Sequence, residues 1–278
     1  MERRSPGFYV LATFFALFVL FLYGPTITIG ILSFQGPQGG LTFPMNGVST
    51  YWFRDLFEEQ AVGDIWGAFA RSFVLGLMVM VTTVVVSVLA GLAFRKRFFG
   101  SGLLFYAAIT SLVIPSILIS LGVGLIFNQL GFRVHWATSG FGSQLTWTLP
   151  FGLLIMFAVF NRFDKSYEEA ARDQGASAWQ TVRYVVLPII APSLIGVALF
   201  GFTLSYDEFA RTLLTSGSYN TLPLEVFGMT TNVTTPVIYA LGTLTTMFSL
   251  LIIAVFLLTV WLMNRRRARL GSDAGKGV

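Results

Sequence analysis

Six stretches of this chain carry no Asp, Glu, Lys, Arg or His. They run Phe8–Phe34, Phe73–Phe94, Leu103–Phe127, Leu145–Phe160, Leu187–Tyr206 and Val237–Met263. A helix needs about 20 apolar residues to cross a hydrocarbon core of about 30 Å, and most of these stretches reach that length. The fourth is short. The rest of the composition agrees. Only 11% of the residues are charged and the mean hydropathy is +0.74, where a soluble domain carries roughly 25% charged residues. The chain lacks the polar surface to coat a water-soluble globule of 278 residues. A disordered protein and an ordinary cytosolic enzyme are excluded, and the expected fold class is an all-α, polytopic membrane protein with six transmembrane helices. With no cysteine and one histidine, His135, disulfides, thiolate metal sites, cysteine catalysis and any site needing two histidines are excluded as well.

The charges decide orientation and retain the fourth span. With both termini in the cytosol, only Arg54, Arg71, Arg133 and Arg211 of the 18 basic residues lie outside. Lys and Arg near span ends set topology, so this asymmetry is a strong signal. It also explains the net charge of +5 without invoking nucleic acid. The acids Asp55, Glu58, Glu59, Asp64, Asp207, Glu208 and Glu225 leave the outer face net negative. The first apolar run is longer than a signal-peptide core of about 7–15 residues and reads as a retained span, with Gly24-Pro25 marking a kink. Two outer loops are expected, about Gln35–Ser72 and Asp207–Pro236, the first with a short surface helix over Tyr51–Gln60. Residues 1–67 form a first helix and outer loop, 68–262 a five-helix core, and 263–278 a basic tail.

Ionisable residues inside spans are the usual mark of proton relays and intramembrane catalysis. Their absence argues against a proton-driven secondary transporter and against an intramembrane protease, while the single histidine and the lack of cysteine disfavour a membrane enzyme. The chain also lacks a G-x4-G-K-[ST] phosphate loop, because Gly275-Lys276-Gly277 fails that spacing. No metal site is expected.

The loop between the fourth and fifth spans, 161–188, is the most informative segment. Ser166 and Glu169 have capping-box spacing, which predicts a helix start. Tyr167, Ala170, Ala171 and Gln174 then share one face, with small residues at its middle. Gly175 stands where the helix can end in a left-handed conformation. Leu187-Pro188 opens the fifth span, and proline suits a first helical turn. Read on the residues alone, this is a helical cytosolic connector.

Glu169-Ala170-Ala171, Gly175 and Val185-x-Leu187-Pro188 together resemble the E-A-A-x3-G-x9-I-x-L-P motif of ABC importer permeases. The one departure is Val185 for Ile. The segments Leu204–Gly217 and Thr221–Met229, and Tyr51-Trp52-Phe53, are similar to the PotC-type subunits of spermidine/putrescine importers. The resemblance implies the type I (MetI-like) permease fold. It implies pairing with a second permease subunit, two ATPase subunits that bind ATP and Mg, and an extracytoplasmic solute-binding protein. The chain itself would hold no cofactor and perform no catalysis. Glu169, Ala170, Ala171, Gly175, Leu187 and Pro188 would couple it to an ATPase in a bacterial inner membrane.

Tyr206, Asp207, Glu208 and Phe209, at the outer end of the fifth span, are candidates for a substrate path. The acids could attract a cation and the rings could stack on an alkyl-ammonium chain. They read equally as interfacial charges and belt aromatics. His135 reads as a loop residue and Arg265–Arg267 as a lipid-headgroup anchor. Ser87-x3-Gly91 offers a small-residue packing surface. The solute stays open between a polyamine and another small organic solute such as an opine, a phosphonate or an amino-acid derivative.

Overall fold

A computed structural model of the chain describes residues 5–58, 63–96, 98–232 and 235–274. Among them, every regular element is helical, apart from an isolated antiparallel bridge between Gln35 and Val48. Five helices are long and apolar enough to cross a membrane, and a sixth crossing is counted if a bent pair of shorter helices forms one span. The chain divides into two compact units, Met1–Gly63 with Val226–Leu250 and Asp64–Glu225 with Leu251–Val278.

In the first unit, α1 (Pro6–Leu32) starts on a proline, whose missing N–H would be unpaired there in any case. It runs on through Pro25 to Leu32. The following loop is organised by the buried side chain of Gln35. Its Oε1 accepts from the Asn46 N–H at 2.7 Å, and its Nε2 donates to the carbonyls of Gly40 and Thr42. The short helix α2 covers Tyr51–Asp55. It is shorter than expected from sequence, and residues 59 and 60 lie outside the described residues.

The second unit holds α3 (Ile65–Phe94), α4 (Ser101–Val113), α5 (Ser116–Gln129), α6 (Phe141–Asn161), α7 (Ser166–Asp173), α8 (Ala178–Thr181) and α9 (Leu187–Tyr206). Helices α3, α6 and α9 pack on one another and form its core. Helix association inside a bilayer gains little from the hydrophobic effect and relies on close van der Waals approach. The sequence supplies that approach. A Cβ on Gly91 would stand 2.7 Å from the Phe160 ring, and one on Gly152 would collide with the Ser87 hydroxyl. The Ser87-x3-Gly91 surface of α3 is thus the seam that receives α6. Thr83 donates to Thr148 across the same seam at 2.8 Å. Toward the end of α3, Val88, Met156, Phe160, Val186, Ile190 and Val197 close the core.

The third apolar stretch is not one straight span. It breaks between α4 and α5, which meet at 111°. Pro115 is the cause. Its ring excludes the preceding residue from helical geometry, and Ile114 accordingly sits extended at φ −71°, ψ 129°. The proposed second outer loop also contains more order than its polarity suggests, since α10 covers Leu222–Asn232. The last helix, α11 (Val237–Ala274), carries the final span on through the basic segment that the sequence reading treats as a separate tail.

Candidate functional site: the connector between α6 and α9

The connector between α6 and α9 forms the helix expected there, but it is capped differently. Ser166 is the first residue of α7, not its cap; the cap position falls on Lys165, whose side chain makes no capping hydrogen bond. The Asp164 carboxylate supplies the acceptor, taking the Ser166 N–H at 2.9 Å. That bond holds the Asp164 carboxyl below its ordinary value. The reciprocal capping box lies one helix later. The Ser177 hydroxyl accepts from Gln180 N–H, and the Gln180 side chain accepts from Ser177 N–H.

The other end of α7 matches the sequence expectation. Gly175 has φ +81°, a left-handed conformation that costs an L-residue roughly 1–2 kcal/mol. The Ala176 N–H bonds back to the Ala171 carbonyl and the Gly175 N–H to the Arg172 carbonyl, the paired bonds of a Schellman termination. Around Gly175 the space is open. Its requirement here is the backbone angle, not a tight neighbour. Glu169 and Ala170 are exposed, and Ala171 is half-buried.

Two attachments tie α7 to the membrane helices. One is an ion pair 73 residues apart in sequence, in which Arg95 Nη1 donates to Glu168 Oε1 at 2.5 Å. Both side chains are largely buried, at 17% and 12% exposure. The Arg95 guanidinium also lies over the Phe160 and Phe163 rings, at 5.3 and 5.5 Å. The other runs through α8, which follows α7 after the turn at Gly175. After α8 the backbone makes a π-helical turn over Val182–Val186 and enters α9 at Leu187. Pro188 explains that turn. It has no N–H to offer the Tyr184 carbonyl, and its ring would press on it, so the backbone widens there. Val186, at 1% exposure, then anchors the turn in the core.

Glu169, Ala170, Ala171 and Gly175 therefore lie together on one short helix and its termination. Leu187 and Pro188 are separated from them by α8 and the π turn, and act on the entry to α9.

At the far end of α9, the four path candidates are dispersed in environment. Tyr206 is buried and stacks on Phe202 at 5.7 Å, with Phe69 edge-on at 6.3 Å. Asp207 is exposed. The Glu208 carboxylate accepts from the Arg211 N–H at 2.9 Å and so starts the next turn. Phe209 is half-buried, and its carbonyl accepts from the Thr212 and Leu213 N–H groups. Sequence reasoning missed Arg211, which is fully buried. It lies 4.9 Å above the Trp147 ring and donates from Nη1 to Thr146. Nearby, Arg71 bridges Asp64 and the Asn220 carbonyl, while Glu225 accepts from Asn220 and from the Asp64 N–H. The Arg71 guanidinium and the Gly67 N–H hold the Asp64 carboxyl below its ordinary value. His135 accepts the Ala137 N–H within its own turn.

A short helix carrying Ala170 and Ala171, ended by a left-handed glycine and set between two spans, is one signature. Residues 83–270 also match the family model of the binding-protein-dependent transport system inner membrane component. The chain belongs to that family. It is a permease subunit of an ABC importer, and the family places it in an inner membrane. The chain is 29% identical over 257 residues to the spermidine/putrescine transport system permease protein PotC of Haemophilus influenzae, across 89% of this chain and 95% of that one. It is 28% identical over 232 residues to the putrescine transport system permease protein PotI of Escherichia coli, across 81% of each. Among solved structures, a chain of a bacterial ABC transporter involved in the import of the acidic polysaccharide alginate superposes with a TM-score of 0.67. That match covers 93% of this chain and 98% of the other at 16% identity, and it shows a shared permease fold. The secondary-transporter alternative is not favoured.

Proposed function

We propose that this permease carries a polyamine, spermidine or putrescine, inward across the bacterial inner membrane. It does so with a second permease subunit, two ATPase subunits and an extracytoplasmic binding protein. The observation that carries the substrate assignment is the likeness to PotC and PotI along more than four-fifths of both chains. The net negative outer face agrees with a cationic solute. Both termini are assigned to the cytosol by the positive-inside bias.

The chain works as a transducer. ATP and Mg belong to the partner ATPases, and no bond is made or broken here. Helix α7 is the coupling helix, with Ala170 and Ala171 at the contact and Glu169 beside them. When the ATPases close, α7 is displaced. The Arg95–Glu168 pair passes that displacement to α3, and the helical run through Leu187 and Pro188 passes it to α9. Packed helices of this kind move as rigid bodies rather than deform. Of the four path candidates, Asp207 is the acid that faces solvent and the one we assign to the cation.

The test is uptake of labelled spermidine and putrescine by cells lacking the chain and by the same cells with it restored. Restored uptake, with Asp207→Asn raising the half-saturating concentration, supports the reading. Equal uptake in both cells, with the chain still assembled on an ATPase, removes the polyamine and leaves the importer.

A further inference from the structure

Beside the ion pair lies a cavity of about 300 Å³ that the transport reading does not use. Its walls come from the end of α3 (Leu92, Arg95, Lys96), from α7 and the residue before it (Lys165, Glu168, Arg172), and from α8 and the π turn (Ala178, Thr181, Val182). Four cations face it and one acid. That acid, Glu168, is already committed to Arg95. Among the described residues, Lys96, Lys165 and Arg172 form no ion pair. A cavity with three uncommitted cations and no free carboxylate selects an anion.

Its depth selects the kind of anion. The apolar helix α3 ends at Phe94, so Arg95 and Lys96 are the first two residues after a segment long enough to cross the hydrocarbon core. Trp179, beside Ala178 of the lining, is 65% exposed, as amphipathic aromatics at headgroup level commonly are. Basic pockets between helices on the cytoplasmic side of a membrane bind anionic headgroups. We propose that this cavity is a binding site for the phosphate of an anionic phospholipid, which bridges the end of α3 to the coupling helix. The lipid would then bear on the same joint that transmits the ATPase movement, making coupling sensitive to membrane composition.

The proposal is tested on the complete importer after delipidation. Bound phosphatidylglycerol, phosphatidylcholine of the same chains, and inorganic phosphate are each titrated and counted by native mass spectrometry. Phosphatidylglycerol should bind and phosphatidylcholine should not. Lys165→Gln with Arg172→Gln removes two exposed cations, so the fold is not at stake. It should weaken phosphatidylglycerol about twenty-five-fold, from about five-fold for each of two cations near a charged headgroup. Arg162→Gln with Arg183→Gln, outside the lining, should leave it nearly unchanged. Equal loss in both double variants overturns the site, as does equal binding of the two lipids. Displacement by inorganic phosphate at equal concentration assigns the cavity to a free phosphate instead. Binding that appears only when the ATPases are stripped away assigns it to a carboxylate of the ATPase. Either result overturns the lipid.

Discussion

Replacing Arg95 by methionine isolates the joint between α3 and α7. Methionine keeps an unbranched stem against Phe160 and Phe163 but removes the charge that Glu168 accepts from. Exposed ion pairs contribute about 0.2–1 kcal/mol, while removing one partner of a buried pair costs about 3–5 kcal/mol. With 17% and 12% exposure, this pair lies between those limits, and about 2 kcal/mol is expected. Helix α7 has only eight residues and opens locally, so the loss should appear there first. The Gln174, Gly175 and Ala176 N–H groups are bonded only while α7 is closed. Their hydrogen exchange in the Arg95→Met importer should rise about thirty-fold, the equivalent of 2 kcal/mol. Amides in the middle of α3 and α6 should stay unchanged. Adding Glu168→Gln to Arg95→Met should recover part of the loss, because it neutralises the carboxylate left buried without its partner. Arg95→Lys should fall between, since an ammonium reaches the carboxylate but cannot lie flat over two rings. Unaltered exchange at those three amides in Arg95→Met would refute a mechanical role for the pair.

Three further outcomes are expected. Asp and Asn both tolerate the left-handed conformation of Gly175, so Gly175→Asn should transport near normally while Gly175→Asp hydrolyses ATP without uptake. Equal uptake by the two variants counts against a docked surface. Gly152→Ala should lower the thermal midpoint of the purified importer through about 1–3 kcal/mol of overpacking against Ser87. Ser87→Gly in the same chain should restore it, and a midpoint that does not recover points to a different cause. The depressed Asp164 carboxyl contributes to α7 fully above its ordinary pKa of 3.8. Its contribution is lost only as the pH falls below that, through the lowered value. Exchange of α7, corrected for intrinsic rates, should be level from neutral pH down to about 4, and Asp164→Asn should accelerate it at neutral pH. An Asp164→Asn chain indistinguishable from the parent would remove the cap.

The spans were legible because hydrocarbon enforces a simple rule, and Leu187–Tyr206 is the fifth apolar run to the residue. Helix α7 was legible in its terminating glycine and in Ala170 and Ala171, which are local. Its cap was misassigned because Ser166 and Ser177 both precede a Glu or Gln by three residues, and spacing alone cannot rank them. The Asp164 acceptor two residues upstream settles the choice. The Arg95–Glu168 pair had no sequence signal, since nothing local links residues 73 apart. Arg211 was counted as an outer surface charge, because sequence does not show that Trp147 and Thr146 fold over it. The break at Pro115 was hidden by hydropathy, which averages over a proline and its neighbours alike.

That break has a consequence for solvent. Helices α4 and α5 have 13 and 14 residues, or about 20 Å each at 1.5 Å per residue. Neither alone traverses a core of about 30 Å. The end of one and the start of the other leave carbonyl and amide groups without helical partners, and lipid tails cannot satisfy them. Ile114 and Val113 are exposed on this chain, Val113 at 80%, so the chain does not enclose the break by itself. Irregular backbone at membrane depth persists only against protein or water. The elbow at Ile114-Pro115 therefore marks a patch that lipid cannot wet. In the working importer it faces either another subunit or the aqueous route itself.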